Sequence, residues 1–370
     1  MSNKLSFSKI SSYSICGERY RLHYIEKLRE KWARASLLFG SAIDESLNSL
    51  LENRDLDKAK QIFLKTWNFQ YVNNKMTALK NNPDIVYASA DLDLDLIELT
   101  EENRKWLKEF EDFKSQNKWD YISEEDRSTY NSFCWESMKA KGLLILENYS
   151  TKVLPQFLSV TAIQHKTELV NGDGDSVTQV LDFIATLHDG SVVLFDNKTT
   201  SNLSYYPDDA PATSQQLVSY YYNNKQKFGI TAVGFVAIQK LVIKNKTKTC
   251  TKCGFDGTES RAKTCDQEHP GMVVKRGKEV EGMVRCNGEW DVKMNPEVAI
   301  KLIVNPVPDA SVDLVLSAFD EANHGIKTGN FYKNLTVCKN IYGSPCTYYN
   351  LCWKGKDEEL VKLEDNKKSS

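Results

Sequence analysis

Two aspartates and a lysine carry the chemistry most plainly written in this chain. Asp182 closes one apolar run, and Asp196–Asn197–Lys198 closes the next, after Leu194–Phe195. Alternate residues of an extended segment share a face, so Asp196 and Lys198 point the same way. A hairpin turning at His188–Asp189–Gly190 brings Asp182 beside them. Two carboxylates and an ammonium at one sheet end can hold a divalent cation, polarise a phosphate and deliver water. The same residues also suit the charged rim of a surface hairpin, because acids and lysines are common on surfaces.

Sulfur is the second resource. Of the nine cysteines, Cys250, Cys253, Cys265 and Cys286 fall in one polar stretch; Cys338, Cys346 and Cys352 crowd the C-terminus and make a second four with Cys16. Cys134 stands alone inside a helical pattern and reads as a small buried hydrophobe. The N-terminus has no apolar run of signal-peptide length, so the expectation is an intracellular chain whose thiols serve metals rather than disulfides. Cys250–Thr251–Lys252–Cys253–Gly254 has the form of a zinc knuckle, in which a turn aims N–H groups at thiolate and glycine permits the turn. Cys265 and Cys286 complete four ligands for Zn²⁺, with His269 as a substitute donor. A polar insertion with little core needs such a staple. Its Lys244, Lys246, Lys248, Lys252, Arg261 and Lys263 are available to DNA phosphate or simply to solvent.

These groups must be positioned by the elements around them. Periodicity predicts two helices within 8–52, further helices at 56–76, 97–116 and 124–152, and loops at Asn81–Asn82–Pro83 and Asp91–Asp95. Strands follow at about 157–170, 176–188 and 191–197, then a helix capped by Thr213 or Ser214 and running to about 227. A strand at 230–243, a polar module to about 288, a strand at 299–304 and a helix at 308–327 complete the order, and the tail from Lys362 reads as disordered. The order is that of an α/β core, a central mixed sheet flanked by helices, wrapped by an N-terminal helical part. At 370 residues the chain can hold one large domain or two. Lys+Arg 48 against Asp+Glu 50 neither predicts nor excludes nucleic acid, and no apolar run reaches membrane-spanning length.

Around the acidic centre the motifs keep company. Ser11–Ser12–Tyr13–Ser14–Ile15–Cys16–Gly17–Glu18–Arg19–Tyr20, Phe39–Gly40–Ser41–Ala42–Ile43–Asp44–Glu45, Glu168, Asp182, Asp196–Asn197–Lys198, Gln216–Leu217–Val218–Ser219–Tyr220 and Cys346-x₅-Cys352 occur in that order. Together they resemble the PD-(D/E)XK nuclease superfamily, in particular its RecB-like branch, which includes AddB and the CRISPR-associated exonucleases. Three positions depart from the pattern: Gly17 stands where proline is usual, Asp44 where a metal-binding histidine is usual, and Val180 where glycine is frequent.

The resemblance implies a PD-(D/E)XK core and a Mg²⁺- or Mn²⁺-dependent DNA nuclease, acting on ends or single strands. It implies that Asp182, Asp196 and the Asn197 carbonyl ligate the metal, with Asp44 as a further ligand and Glu45 as its fallback. Lys198 would orient the attacking water, Glu168 would support the metal through water, and Gln216 and Tyr220 would face the site and hold Lys198 or a phosphate. It further implies a [4Fe–4S] cluster on Cys16, Cys338, Cys346 and Cys352, although the x₇ spacing of Cys338 from Cys346 departs from the usual x₂.

The expected organisation is a helical region at 1–155, a nuclease core at 156–243, a zinc-knuckle insertion at 244–290, a C-terminal segment with iron–sulfur cysteines at 291–355 and a charged tail at 356–370. Compact chains of this kind are common in phages, so the expected location is cytoplasm, the host's if the chain is viral. Two other readings are a catalytically inactive nucleic-acid-binding module of the same fold and a metal-stabilised adaptor that recruits replication or recombination proteins.

Overall fold

The computed structural model describes residues 5–68, 85–88, 91–115, 122–170, 174–339 and 345–363. The chain divides into two compact units, residues 1–240 with 300–370, and residues 241–299.

The first unit opens with strand β1 (Leu5–Ser6), helices α1 (Phe7–Ile15) and α2 (Gly17–Tyr20), strands β2 (Leu28–Glu30) and β3 (Ala33–Arg34), and the long helix α3 (Ala35–Asn53). Residues 8–52 therefore contain more than the expected two helices. The interruption comes from a long-range pairing: β2 runs antiparallel to Leu360–Lys362, 334 residues apart at the Leu28↔Lys362 pair and invisible to any local pattern. The same pairing holds Lys362 in a strand rather than in a disordered tail. Helix α4 (Leu56–Thr66) ends before the expected 76; residues 69–84, with the Asn81–Asn82–Pro83 loop, lie outside the described residues. Strand β4 (Ile85–Val86) and helices α5 (Glu101–Ser115) and α6 (Glu124–Lys152) follow. Ser123 caps α6 by accepting from Asp126 N–H (3.0 Å), with three acids in its first turn. Gly142, mid-helix in α6, is required because a Cβ there would collide with the Phe63 ring of α4.

The site is built by the next elements: β5 (Phe157–Val170), β6 (Ser176–Leu187), β7 (Val192–Thr200), α7 (Ala210–Thr213), α8 (Gln215–Phe228) and β8 (Ala232–Cys250). Of the two expected caps, Ser214 is the one that closes α8, accepting from Leu217 N–H (3.3 Å). Beyond them lie β9 (Glu268–Lys275), β10 (Lys278–Arg285), β11 (Trp290–Asn305), α9 (Asp309–Thr328) and α10 (Tyr349–Lys354). The main sheet is mixed and six-stranded, in the order β1-β6-β7-β8-β11, with β5 also on β6. Phe157, Phe183 and Phe195 pack with ring centroids 5.2–5.5 Å apart. Leu181, Ile184, Leu194, Leu217, Val233 and Phe235 form a core between sheet and α8.

One feature of the pairing makes a site. β5 runs along one edge of β6. On the opposite edge β7 pairs with Phe183–Thr186 and β1 with Val177–Thr178. The sheet therefore forks at Gln179–Asp182, where β7 has diverged and β1 has not yet begun.

In the second unit β9 and β10 form a hairpin, Lys278↔Lys275 through Arg285↔Glu268, turning at Arg276 (φ 52°) and Gly277 (φ 78°). Strands β8 and β11 have residues in both units, so each is longer than expected. Their polar continuations, such as Lys244, Lys246 and Lys248, lack the apolar alternation by which a strand is read. Among the described residues no helix is long and apolar enough to cross a membrane.

Candidate active site

At the fork, Asp182 and Asp196 fall one step beyond the last ladder pair, Phe183↔Phe195. Asn197 N–H donates to Asp182 Oδ2 (3.3 Å), a side-chain bond where a backbone rung would otherwise be. Asp196 is 3 % exposed, and its Oδ2 lies 2.5 Å from Lys198 Nζ. On its other edge β7 is held by parallel pairing with β8, Asp196↔Phe235 to Lys198↔Ala237, so this backbone is fixed even though β6 has left it.

Helix α3 supplies the third carboxylate. The helix runs close to β7 at Gly40, where a Cβ would lie 3.6 Å from Thr199 Oγ1, an ordinary contact distance. One turn on, Asp44 lines the same cleft as Asp182, Asp196, Asn197 and Lys198, a space of about 480 Å³. Asn48, at i+4, donates to Asp44 Oδ2 (3.4 Å). Glu45 is exposed and lines no part of the cleft.

Three carboxylates face one ammonium here. Burial, and then repulsion from Asp196, raises the Asp44 carboxyl above its ordinary range. The same two causes raise Asp182 strongly. For Lys198 burial opposes the charge, but contact with Asp196 outweighs it and the ammonium is held more firmly than usual. All the donors are hard oxygens, and their surplus negative charge is what a divalent cation neutralises. The residues have the chemistry that a hard divalent cation such as Mg²⁺ or Mn²⁺ prefers.

A consequence for stability follows from the raised carboxyls. A carboxyl with a raised folded pKa keeps its proton in the native state where the unfolded chain has lost it. Native stability then falls as pH rises from the ordinary carboxylate range towards the raised values. In EDTA, Asp182→Asn is expected to melt a few degrees higher than wild type at pH 8 and to flatten the decline between pH 5 and 8. A thermal melt at each pH checks this, and equal slopes for the two proteins would contradict it.

The other residues expected at the site are placed as follows. Gln216 and Tyr220, one turn apart on α8, both line the cleft. The Tyr220 phenol is raised by burial. Glu168 is exposed on β5, accepts from Ser176 Oγ (3.0 Å) and lies outside the cleft. Its register partner is Thr178, four residues from Asp182, which sets it on the rim.

Three residues escaped the sequence reading. Tyr149 of α6, fully buried, donates its hydroxyl to Asn197 Oδ1 (3.2 Å) and so orients the residue between the acid and the lysine. Its partner is 48 residues away, and nothing local marks it. Gln179, 0 % exposed, donates to Ser219 O (3.2 Å) and accepts from Asn223 Nδ2 (2.8 Å), which pins α8 over the fork. A polar residue among Val177 and Leu181 was a legible sign of it. Gln164 of β5 also lines the cleft.

Both cysteine sets have structure. In the second unit Cys250, Cys253, Cys265 and Cys286 place their sulfurs within 4.8 Å of one another and can hold a metal. The separations Cys250–Cys286 (3.6 Å) and Cys253–Cys265 (3.7 Å) match the ~3.8 Å edge of a tetrahedron with ~2.3 Å metal–sulfur arms. Lys252 and Cys253 N–H groups point at Cys250 Sγ (3.4 and 3.5 Å), and Gly254 takes φ +72° as the knuckle turn requires. His269 is exposed on β9 and outside the group.

The other four are gathered by the chain ends. Asn334 N–H donates to Cys16 Sγ (3.4 Å), while Cys338 Sγ donates to Asn334 O (3.8 Å). Cys346 N–H donates to Cys338 O (2.9 Å). Burial, and then the charges of Glu18 and Cys346, push the Cys352 thiol up. Gly17 explains its own departure: a Cβ there would lie 2.7 Å from Tyr332 N, and Glu18 N–H donates to Tyr332 O (3.0 Å). Cys134 is fully buried.

A family model described as the PD-(D/E)XK nuclease superfamily matches residues 4–267, a span that contains the whole acidic cleft. No curated protein matches the chain.

Proposed function

Because the chain belongs to the PD-(D/E)XK nuclease superfamily, we propose that it is a metal-dependent DNA nuclease of the RecB-like type, hydrolysing phosphodiesters at DNA ends or in single strands. The observation that carries this reading is the convergence of Asp182, Asp196, Lys198 and Asp44 on one cleft at the fork of the sheet. Asp44, Asp182, Asp196 and the Asn197 carbonyl would hold Mg²⁺ or Mn²⁺, whose chemistry when bound is to polarise the scissile phosphate and activate water. Lys198, kept protonated by Asp196, acts as a fixed positive charge rather than a base. It orients the attacking water and offsets charge developing on the phosphate. Tyr149 holds Asn197, so the residue between the acid and the lysine stays aimed without reorganisation.

The resemblance to iron–sulfur members of the RecB-like branch, and the gathering of Cys16, Cys338, Cys346 and Cys352, support a structural [4Fe–4S] cluster. The four-sulfur geometry of the second unit supports Zn²⁺. The experiment that tests the function is incubation with end-labelled single- and double-stranded DNA, with Mg²⁺, Mn²⁺ or EDTA. Metal-dependent shortening is expected; DNA binding with no cleavage would favour an inactive binding module, and neither would favour an adaptor.

Asp44 gives a sharper expectation. Asp44→Ala should need about tenfold more Mg²⁺ for half-maximal cleavage, equivalent to ~1.4 kcal/mol of lost metal binding. Asp44→His should stay near wild type, since histidine is usual at this position in the family. Metal titrations in which both variants behave as wild type would remove Asp44 from the ligand set.

A further inference from the structure

Gln164 has a backbone that its sequence does not call for. Among the described residues, five other than glycine have positive φ. Arg54 follows the end of α3, Arg276 forms the β9–β10 turn, Asn287 follows Cys286 and Lys27 follows the turn at Arg21–Ile25. Each of these sits where a chain reverses or an element stops. Gln164, at φ 47°, is instead eight residues into the fourteen-residue strand β5.

No bulge accounts for it. The neighbours Ile163 and His165 pair with Phe183 and Leu181 in unbroken register, which sets Gln164 opposite Asp182. The residue is turned out of the ladder beside the acidic centre, and it lines the cleft. Its side chain is exposed and makes no hydrogen bond among the described residues. The flanking His165 is held by Lys227 (3.1 Å) and the edge of Phe228, so the strand around the turned residue is anchored.

A left-handed conformation is strained for any residue other than glycine. Glycine would adopt the same backbone freely, and asparagine more readily than glutamine. A glutamine there is accounted for by its carboxamide. Of the charged groups lining this cleft, three are carboxylates that repel a phosphodiester and one is the lysine beside them. A neutral amide donor on the strand next to Asp182 suits a phosphate oxygen without adding to the surplus charge at the metal site.

Building on the nuclease reading, we propose that Gln164 is a substrate-positioning residue, whose carboxamide N–H donates to a non-bridging phosphate oxygen of the nucleotide flanking the scissile bond. The test compares wild type, Gln164→Gly and Gln164→Glu on DNA carrying either normal phosphates or a neutral methylphosphonate at each flanking position in turn. Gln164→Gly is expected to melt at or above the wild-type temperature, because the backbone is relaxed. It should lose about tenfold in kcat/KM, mostly through KM, as expected for one hydrogen bond to a charged group. Its metal titration should be unchanged, and Gln164→Glu should lose more. At one flanking position the methylphosphonate should erase the difference between wild type and Gln164→Gly. Wild-type kcat/KM in Gln164→Gly, a loss that tracks a lower melting temperature, or a deficit indifferent to every methylphosphonate overturns the proposal while leaving the nuclease reading intact. A wild-type protein that cleaves no DNA overturns both.

Discussion

Asp196→Ala and Lys198→Ala are each expected to abolish metal-dependent DNA cleavage, by ~10³-fold or more, with DNA affinity within a few-fold of wild type. The two residues form one unit: the carboxylate is almost fully buried and the ammonium lies against it at 2.5 Å. Removing Asp196 would take away a proposed metal donor and also the charge that holds the Lys198 ammonium. Removing Lys198 leaves Asp196 buried beside Asp182 and Asp44 with no cation, a loss that should also lower apo-protein stability. Lys198→Met, which keeps the aliphatic stem, separates the catalytic loss from the packing loss. The cleft wall contributed by Gln164, Gln216 and Tyr220 is untouched in all three variants, so binding should persist. Single-turnover cleavage and DNA binding measured in EDTA check this; full activity in Asp196→Ala would sink the assigned site.

Cys253→Ser is expected to release one zinc and unfold residues 241–299 while leaving iron in place. Cys352→Ser should do the reverse. In the second unit one buried cluster consists of Cys250, Cys265 and Cys286, with Cys253 and Trp290 packed against them. With so little apolar burial, a bound zinc would supply most of the folding free energy, typically about 10–16 kcal/mol for a thiolate zinc site. The proposed terminal cluster would hold less of the fold. Tyr13 Oη donates to Asn330 O (2.6 Å), Tyr332 Oη to Ser14 O (2.8 Å) and Asn334 Nδ2 to Ile15 O (3.0 Å), so the N-terminal helix is tied to the C-terminal segment by hydrogen bonds as well. Losing iron should therefore loosen this end without unfolding the nuclease core. Anaerobically purified wild type should be brown, absorb broadly near ~400 nm and hold about four irons. Metal analysis and limited proteolysis of the two variants decide the matter, and colourless wild-type protein holding only zinc would refute the iron–sulfur assignment.

The parts of this protein legible in its sequence are those governed by local periodicity. Alternation marked β5, β6 and β7 to within a few residues, and with them the shared face of Asp196 and Lys198. Apolar runs closed by a turn at His188–Asp189–Gly190 set Asp182 opposite Asp196. The mixed α/β fold followed from the order of the elements, and the knuckle around Cys250 and Cys253 from spacing and one glycine. What tertiary structure alone decided is where separate elements meet. The fork at Gln179–Asp182 exists because β1, more than 170 residues earlier in the chain, takes an edge that β7 vacates. Asp44 reaches the acids because α3 packs with Gly40 close to Thr199 of β7. Tyr149 finds Asn197 across 48 residues, and β2 finds Leu360–Lys362 across the whole chain. Gln164 turns out of its strand where the pattern of β5 is unbroken. The physical reason is common to all of these: a hydrophobic period reports which face of one element is buried, whereas a close approach or a turned backbone depends on the element packed against it.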